Sequence, residues 1–322
     1  MADATRTKPG LPPAGALRVE RTSRSGRRAA LRLMLTGRSE GDDAAVDRFL
    51  DFASANGFDL EQVYTGHDGG RLTAVAMLVP SPGRTAMLFL SSARTQADQD
   101  ALGHTVHAVC RQQDRQAIHL IQTLLEPSQE VERRALRSAG FAELAELLYM
   151  SCPIGKSGAP FAPDPSIEPI EVVTWRPRHH ELFARATLAT YEQTLDCPGL
   201  RGLRHIDDIL EGHKASGRFE PPLWMALRCG DDPVGVMLLN VVPQRSALEL
   251  VYLGLSPHWR GHRLGGKLVR HAQWLARKRR VAQIVLAVDS VNSPALALYR
   301  AAGFTQSSRK IAMIYATGAT GP

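Results

Sequence analysis

The chain has 322 residues, of which 44% are hydrophobic and 22% charged, and its net charge is +7. This length predicts two domains, and no apolar run approaches the roughly 18 to 20 residues that cross a bilayer, so neither a membrane span nor a membrane partner is expected. The four cysteines are scattered without metal-ligand or disulfide spacing. Free thiols, no metal site and a cytoplasmic location are therefore expected.

Two segments are predicted to lack regular structure. Residues 1–26 are rich in arginine, proline and small residues, and contain no apolar stretch of a secretory signal, so they predict a disordered basic tail. Residues 153–169 contain five prolines and two glycines and predict a linker. Domains are therefore expected at residues 27–152 and 170–318.

The basic clusters do not predict a nucleic-acid partner. Few aromatic residues lie among the arginines of the tail or among those of residues 277–280, where a helix would end and its dipole would favour cations. A nucleic-acid-binding module is the alternative, and it would bind in a salt-sensitive way through the tail.

The pattern of the second domain alternates between strands and helices. It predicts a strand at 171–175, helices at 181–191 and 206–215, a hairpin around CGDDP and a strand in SALELVYLGLSP. A helix at 264–280, a strand at 283–288, a helix at 293–302 and a strand at 310–315 follow. This order predicts an α/β fold, also describable as α+β, with a mixed central sheet flanked by helices.

The first domain repeats this order. Three short pairs recur at nearly the same separation, and each pair has matching predicted elements around it, which favours an internal duplication over chance. The pairs are Thr85-Ala86 with Ser246-Ala247, Leu102-Gly103 with Leu264-Gly265, and Gly140-Phe141 with Gly303-Phe304.

The stretch GLSPHWRGHRLGGKLVRHAQWLARK predicts an anion-binding loop between a strand and a helix. Gly261, Gly265 and Gly266 leave backbone N–H groups uncovered, and a helix beginning near Leu264 adds its positive end. Charged side chains in the loop would add to this attraction, namely Arg260, Arg263 and Lys267. The spacing matches neither a dinucleotide fingerprint nor a P-loop, so coenzyme A is the predicted pyrophosphate ligand.

This loop resembles the acetyl-CoA loop of the GCN5-related N-acetyltransferase (GNAT) superfamily, R/Q-x-x-G-x-G/A. The pattern is filled by Arg260, Gly261, His262, Arg263, Leu264 and Gly265, with Arg263 in place of the usual glycine. The family's next strand and helix are matched by Asn292, Ala295, Tyr299, Gly303 and Phe304. The resemblance covers about residues 170–315, and the tandem arrangement resembles that of the mycothiol synthases, whose substrate is not carried over. It implies acetyl-CoA as cosubstrate.

Transfer to an alkyl amine requires a base, because such an amine is mostly protonated near neutral pH. Strand alternation places Leu248, Leu250 and Tyr252 on one face and Glu249, Val251 and Leu253 on the other. Glu249 among aliphatic neighbours is expected to have a raised pKa and to act as general base. The alternative is a glutamate that faces solvent or pairs with an arginine.

The resemblance implies that Tyr299 is the general acid that protonates the departing thiolate, and packing on an apolar helix face is the alternative. Backbone N–H groups of Leu253, Gly254 and Leu255 are expected to polarise the thioester where the strand splays at Gly254. Asn292 either binds the cofactor or caps the following helix. No cysteine occupies a nucleophile position, so direct transfer in a ternary complex is predicted.

The first domain is predicted to be a degenerate copy. The duplication maps Arg260 to Asp98 and His262 to Asp100, where carboxylates would repel a pyrophosphate. It also maps Glu249 to Leu88 and Tyr299 to Leu136, which removes both proton-transfer groups.

Acidic residues between Tyr191 and Arg218 of the second domain predict attraction of a cationic amine, or alternatively a solvated helix surface. They are Asp196, Asp207, Asp208 and Glu211. The sequence thus predicts an N-acetyltransferase for a small-molecule or peptide amine. Two alternatives stay open: an inactive acyl-CoA-binding or interaction protein, and an acetyltransferase for protein N-termini or lysines.

Overall fold

The computed structural model describes residues 17–38, 40–55, 59–155, 159–162 and 169–317. The chain divides into two compact units. Unit 1 holds the described residues up to Glu143 together with those from Ile311 onward, and unit 2 is Leu144–Lys310. Within the described ranges, every helix is too short or too polar to cross a membrane.

Unit 1 is a mixed sheet with two helices on each face. Its strands are β1 (Arg18–Arg21), β2 (Val63–Asp68), β3 (Arg71–Ser81), β4 (Thr85–Leu90), β5 (Leu120–Leu125) and the end of β12 (Thr305–Ala316), paired in that order. Its helices are α1 (Arg27–Thr36), α2 (Ala44–Ala55), α3 (Gln96–Arg111) and α4 (Glu130–Ser138). Only β4 and β5 run parallel among the pairs described in this unit.

Unit 2 repeats this arrangement. Its strands are β6 (Ala142–Pro153), β7 (Glu171–Thr174), β8 (Arg218–Cys229), β9 (Asp232–Val242), β10 (Ala247–Leu255), β11 (Gln283–Asp289) and the start of β12. Its helices are α5 (His180–Thr190), α6 (Ile206–Ala215), α7 (Leu264–Lys278) and α8 (Ser293–Ala301). The strands follow the order β12-β6-β11-β10-β9-β8-β7.

Alternating apolar side chains bury both faces of the unit 2 sheet. One face packs against α7 and α8 through residues such as Leu248, Leu268 and Phe304. The other packs against α5 and α6 through an aromatic group that includes Phe183 and Trp224. Two buried faces explain why the hairpin strands are almost continuously apolar.

Strands β6 and β12 each cross from one unit to the other. The residues of β6 from Leu144 onward lie in unit 2, where β6 pairs antiparallel with β11. The second half of β12 lies in unit 1, where Ile311 pairs with Leu125 of β5. The sequence places residues 144–152 in the first domain and residues after 310 in the second, so the compact units differ from those ranges.

The predicted disordered tail is wrong at its end. Residues 1–16 lie outside the described residues, but Arg18–Arg21 form β1, which pairs antiparallel with β2, and Val19 packs against the unit 1 core. An edge pairing of four residues suffices to order a segment whose composition alone suggests disorder.

The predicted linker is only partly described, since residues 156–158 and 163–168 lie outside the described ranges. The described part contacts α7, because Ala159 N–H donates to Arg270 O and Phe161 N–H donates to His271 Nδ1. The predicted last strand at 310–315 is also corrected, since β12 begins at Thr305.

Candidate functional site

The site lies where two parallel strands of unit 2 separate. Strands β10 and β11 are paired only at their starts, where Ala247 lies opposite Gln283 and Glu249 lies opposite Val285. Strand β10 stays paired with β9 as far as Leu255. Within the described residues, no pairing of β10 with β11 continues past Glu249. The backbone groups of β10 that face β11 beyond this point open into a wedge between the strands.

A β-bulge accompanies the separation. The register between β9 and β10 shifts between Leu250 and Tyr252, so Val251 is the extra residue. Leu253 therefore returns to the α7 and α8 face with Leu250, whereas Val251 and Tyr252 pack on the α5 and α6 face. The alternation predicted from the sequence holds as far as Val251 and is wrong for Tyr252 and Leu253, because the bulge reverses the side-chain period.

Gly254 is not the residue at which β10 separates from β11, in contrast to the prediction. A Cβ built there would lie 2.7 Å from Thr190 Cβ and 2.8 Å from Tyr252 Oη. The separation of the strands begins after Glu249 instead. Glycine at this position allows the end of α5 to approach β10 closely.

The wedge opens into a cavity of about 500 Å³ that gathers most of the predicted site residues. Those on its wall are Leu253, Gly254, Leu255, Arg260, Gly261, Arg263, Leu264, Gly265, Gly266, Asn292 and Tyr299. Glu249, His262 and Lys267 are described residues that are not on this wall. Ala287 and Val288 of β11 line the opposite side.

The N-terminus of α7 points donors at the cavity. Its N-cap residue Arg263 makes no side-chain capping bond, and the first-turn N–H groups of Leu264, Gly265 and Gly266 have no earlier helical carbonyl to bind. Arg263 is left-handed with φ of 58°, and Gly261 with φ of 82° has open space where a Cβ would be. The left-handed backbone explains why glycine is usual at the position of Arg263.

Arg260 is used differently from the prediction. Its guanidinium donates to the carbonyls of Leu255, Thr190, Glu192 and Gln193 at 2.7–3.1 Å. Four of its five N–H groups are therefore committed to backbone oxygens at the end of α5 and the end of β10. Arg260 joins these segments, whereas Arg263 is exposed and its side chain makes no hydrogen bond or ion pair with the described part of the chain.

Asn292 and Tyr299 occupy the cavity side of α8. Asn292 Oδ1 accepts from Ala295 N at 3.3 Å, so it caps the helix, and it also lines the cavity. Asn292 is thus a helix cap, and its place on the cavity wall is compatible with the predicted cofactor-binding role as well. Tyr299 is 7% exposed and packs against Phe304, and burial, followed by the charge of Asp196, raises the pKa of its phenol. The phenol therefore stays protonated near neutral pH.

Glu249 lies on the α5 and α6 face of β10, at the start of the wedge. Burial raises the pKa of its carboxyl, while the hydrogen bond from Ser216 Oγ at 3.1 Å and the charge of Arg245 oppose this change. Burial also raises the pKa of Tyr149 of β6, and the nearby charge of Glu249 raises it further. Glu249 is thus largely buried and forms no ion pair with an arginine in the described part of the chain, in contrast to the alternative considered for it.

Sequence reasoning missed the contacts that hold this site together. Thr190 Oγ1 and Tyr252 Oη are 2.8 Å apart, which fixes α5 to the bulged strand. Asp289, at the end of β11, accepts from Cys197 N at 3.2 Å. In the sequence, these residues are visible only as polar side chains at the ends of helices and strands. Their contacts could not be predicted, because the ends are brought together only by the fold.

Unit 1 lacks the corresponding open helix end. Thr95 and Asp98 form a capping box, in which Asp98 N donates to Thr95 Oγ1 and Thr95 N donates to Asp98 Oδ2. Leu88 and Leu136 lie in its core. The first unit is thus degenerate: a carboxylate closes the helix end, and Leu136 occupies the position of Tyr299. The predicted match of Glu249 to Leu88 is wrong by one residue, because the parallel pairing of β4 with β5 places Met87 at the position of Glu249, while Leu88 packs on the α3 and α4 face.

Comparison with known proteins matches the part of the chain that builds the cavity. Residues 188–304 match the model of the acetyltransferase (GNAT) family. Streptothricin acetyltransferase from Streptomyces lavendulae is 29% identical over 115 residues, which are 36% of this chain and 59% of that protein. The alignment therefore spans less than two thirds of this relative.

Solved structures resemble nearly the whole chain. A GCN5-related N-acetyltransferase from Sphaerobacter thermophilus has a TM-score of 0.53 at 18% identity, over 95% of this chain and 97% of that one. A tandem GNAT protein from the clavulanic acid biosynthesis pathway has a TM-score of 0.49 at 14% identity, over 95% and 100%. At this identity, the first likeness is evidence of fold alone.

Proposed function

We propose, from the premise that residues 188–304 form a domain of the acetyltransferase (GNAT) family, that the chain transfers an acetyl group from acetyl-CoA to a primary amine. The observation that carries the proposal is the wedge between β10 and β11, which leads to the uncapped N-terminus of α7. A narrow acyl-bearing arm fits the wedge, and a pyrophosphate fits the helix end.

The residues around the cavity fit acetyl-CoA. First-turn N–H groups from Leu264 to Gly266 would bind the pyrophosphate, and Arg263 would add its charge. Free backbone groups of β10 around Leu253 would meet the arm and polarise the thioester carbonyl. Bound acetyl-CoA supplies an activated acyl group, and the acetyltransferase relative supports acetyl as that group.

Glu249 and Tyr299 would move the protons. Glu249, whose pKa is raised by burial, accepts the proton that the acceptor ammonium releases. The free amine nitrogen then bonds to the acyl carbon, the bond from carbon to sulfur breaks, and Tyr299 donates its proton to the departing sulfur. The second proton that the new amide nitrogen loses returns the Tyr299 phenolate to its neutral form. No covalent acyl-enzyme is required, so the reaction proceeds directly from a ternary complex.

The test is isothermal titration of acetyl-CoA into the wild-type protein and into Arg263→Glu. We expect one site per chain and at least about tenfold weaker binding in the variant, because a charge-assisted contact to phosphate is replaced by repulsion. Arg300→Glu, the same change at an exposed position of α8 away from the cavity, is the matched control and should bind like wild type.

Other outcomes would distinguish the alternatives. Two sites per chain would contradict a degenerate unit 1, and no binding at millimolar acetyl-CoA would refute the acetyltransferase proposal. Binding without acetylation of any amine in a panel of small amines and peptides would favour the inactive acyl-CoA-binding protein.

A further inference from the structure

The loop between α5 and α6 brings one carboxylate to the cavity. Of the four acidic residues predicted to attract an amine, Asp196 lines the cavity and lies in the same wall as Tyr299. Asp207 instead hydrogen-bonds His180, and Glu211 pairs with Lys214. The distinction was invisible in the sequence because all four acids lie in one short stretch.

Asp196 is held in a fixed position by the end of β11. Asp289 N donates to Asp196 Oδ1 at 3.2 Å, and the buried carboxylate of Asp289 accepts from Cys197 N and Val291 N. Asp289 is 3% exposed. These bonds fasten both the acid and the left-handed residue after it to the strand that forms one side of the wedge.

The carboxylate of Asp196 has no cation of its own. Within the described residues, Asp196 makes no ion pair, and only its Oδ1 accepts a hydrogen bond. Burial raises the pKa of Asp196, the hydrogen bond from Asp289 N opposes this change, and the charge of the Asp289 carboxylate adds to it, so two acids share a region with little solvent. A partly buried negative charge is stabilised by a positive partner, and the cavity is the open side from which one can come.

Aromatic rings complete the surroundings of this carboxylate. Tyr191 and Tyr252 meet edge to face with ring centroids 5.5 Å apart. Burial raises the pKa of Tyr191 to about 12, and Asp196 adds to the effect on both phenols. Both phenols therefore stay neutral near neutral pH and give Asp196 no charged partner, and of the two tyrosines only Tyr252 is among the residues that line the cavity.

We infer that Asp196 binds the ammonium group of the acceptor, so that the substrates are amines that enter the cavity as cations. The inference rests on the proposed function for its reaction, but the ion pair itself requires no turnover. Asp289 is a positioning residue in this assignment, and Glu249 keeps the proton-accepting role. The negative charge of Asp196 also repels anionic acceptors of the same size.

The test compares butylammonium chloride with butan-1-ol, two probes of similar shape that differ in charge. Each is titrated calorimetrically into wild type, Asp196→Asn and Asp207→Asn, with and without saturating CoA. We expect butylammonium to bind wild type and Asp207→Asn alike and Asp196→Asn at least tenfold more weakly. The three proteins should not differ toward butan-1-ol.

Equal binding of butylammonium to wild type and Asp196→Asn, including absence of binding to both, would overturn the inference. CoA binding by Asp196→Asn is measured in parallel, and retention of wild-type CoA affinity shows that the variant is folded. A wild-type protein that binds no CoA would count against the proposed function instead, and the titration without CoA would still decide the role of Asp196.

Discussion

At the scale of single residues, Arg260 and Arg263 illustrate how position decides the use of identical side chains. Arg260 donates to four backbone carbonyls and holds the end of α5 against β10. Arg263 is exposed on the cavity wall and adopts a left-handed backbone. The sequence predicted the same phosphate-binding role for both, because three of the four backbone carbonyls that bind Arg260 come from a segment far away in the chain.

Glu249 leads to a prediction about pH. Burial raises the pKa of its carboxyl, so the basic form appears at a higher pH than for an exposed glutamate. Activity of wild type should therefore rise with pH through this pKa, and Glu249→Gln should remove that limb and lower kcat by about 10²-fold or more. The measurement is kcat/KM against pH with an amine acceptor identified by the screen.

The matched control for this experiment is Glu211→Gln, an exposed change on α6 that should leave both the rate and the pH profile unaltered. An unchanged acid limb in Glu249→Gln would assign the proton-accepting role elsewhere. A lower rate with an unchanged profile would do the same.

At the scale of elements, β10 carries both the architecture and the chemistry of the site. It pairs with β9 along its whole length but with β11 only at its start, and the bulge at Val251 turns the following side chains over. Gly254 sits in the part that approaches α5. The strand is thus shaped by close contacts on one side and by the wedge on the other.

Gly254→Ala tests the close contact. The new Cβ would meet Thr190 and Tyr252 at 2.7–2.8 Å, so α5 or the strand must shift, and unfolding free energy should fall by about 1–3 kcal/mol. Gly266→Ala is the control, because its nearest neighbour is 3.6 Å away and it lies inside α7. There the change should keep or raise stability, since alanine is the better helix former.

Denaturant midpoints of the two variants provide the measurement. A Gly254→Ala protein as stable as wild type would mean that α5 yields without strain. In that case, the role assigned here to the glycine would be wrong.

Elements with strong local patterns were predictable, and the details that shape the site were not. The helix at Ile206–Ala215 matches its predicted range, and the hairpin of β8 and β9 follows from apolar runs around a turn. The bulge at Val251 was missed because it depends on the register with β9. β1 was missed because its ordering depends on pairing with β2.

At the scale of the whole molecule, two units repeat one arrangement but differ at the helix end that would bind phosphate. In unit 1 the capping box of Thr95 and Asp98 satisfies the first turn of α3, and in unit 2 the first turn of α7 has no side-chain cap. The duplication was predictable from short repeated pairs. The exchange of β6 and β12 between the units was not, since strand pairing at this distance has no local signal.

Met313→Ala tests the dependence of unit 1 on β12. Met313 is fully buried in the unit 1 core, so its truncation should lower the stability of that unit by about 2–5 kcal/mol. Hydrogen exchange should then accelerate in β3 to β5 and stay slow in β8 and β9.

Leu227→Ala, a truncation in the unit 2 core, should give the opposite distribution of exchange. If Met313→Ala left exchange in unit 1 unchanged, β12 would contribute little to that unit.

The position of β12 also bears on synthesis by the ribosome. Strand β5 can pair with Ile311–Ala316 only after these residues are translated, and they follow all the strands of unit 2 in the chain. Until then the nascent chain carries an edge strand with unpaired backbone groups, a surface that favours aggregation. The second half of the polypeptide can therefore complete most of its sheet before the first half can complete its own, which reverses the usual vectorial order and leaves the edge of β5 exposed until synthesis reaches β12.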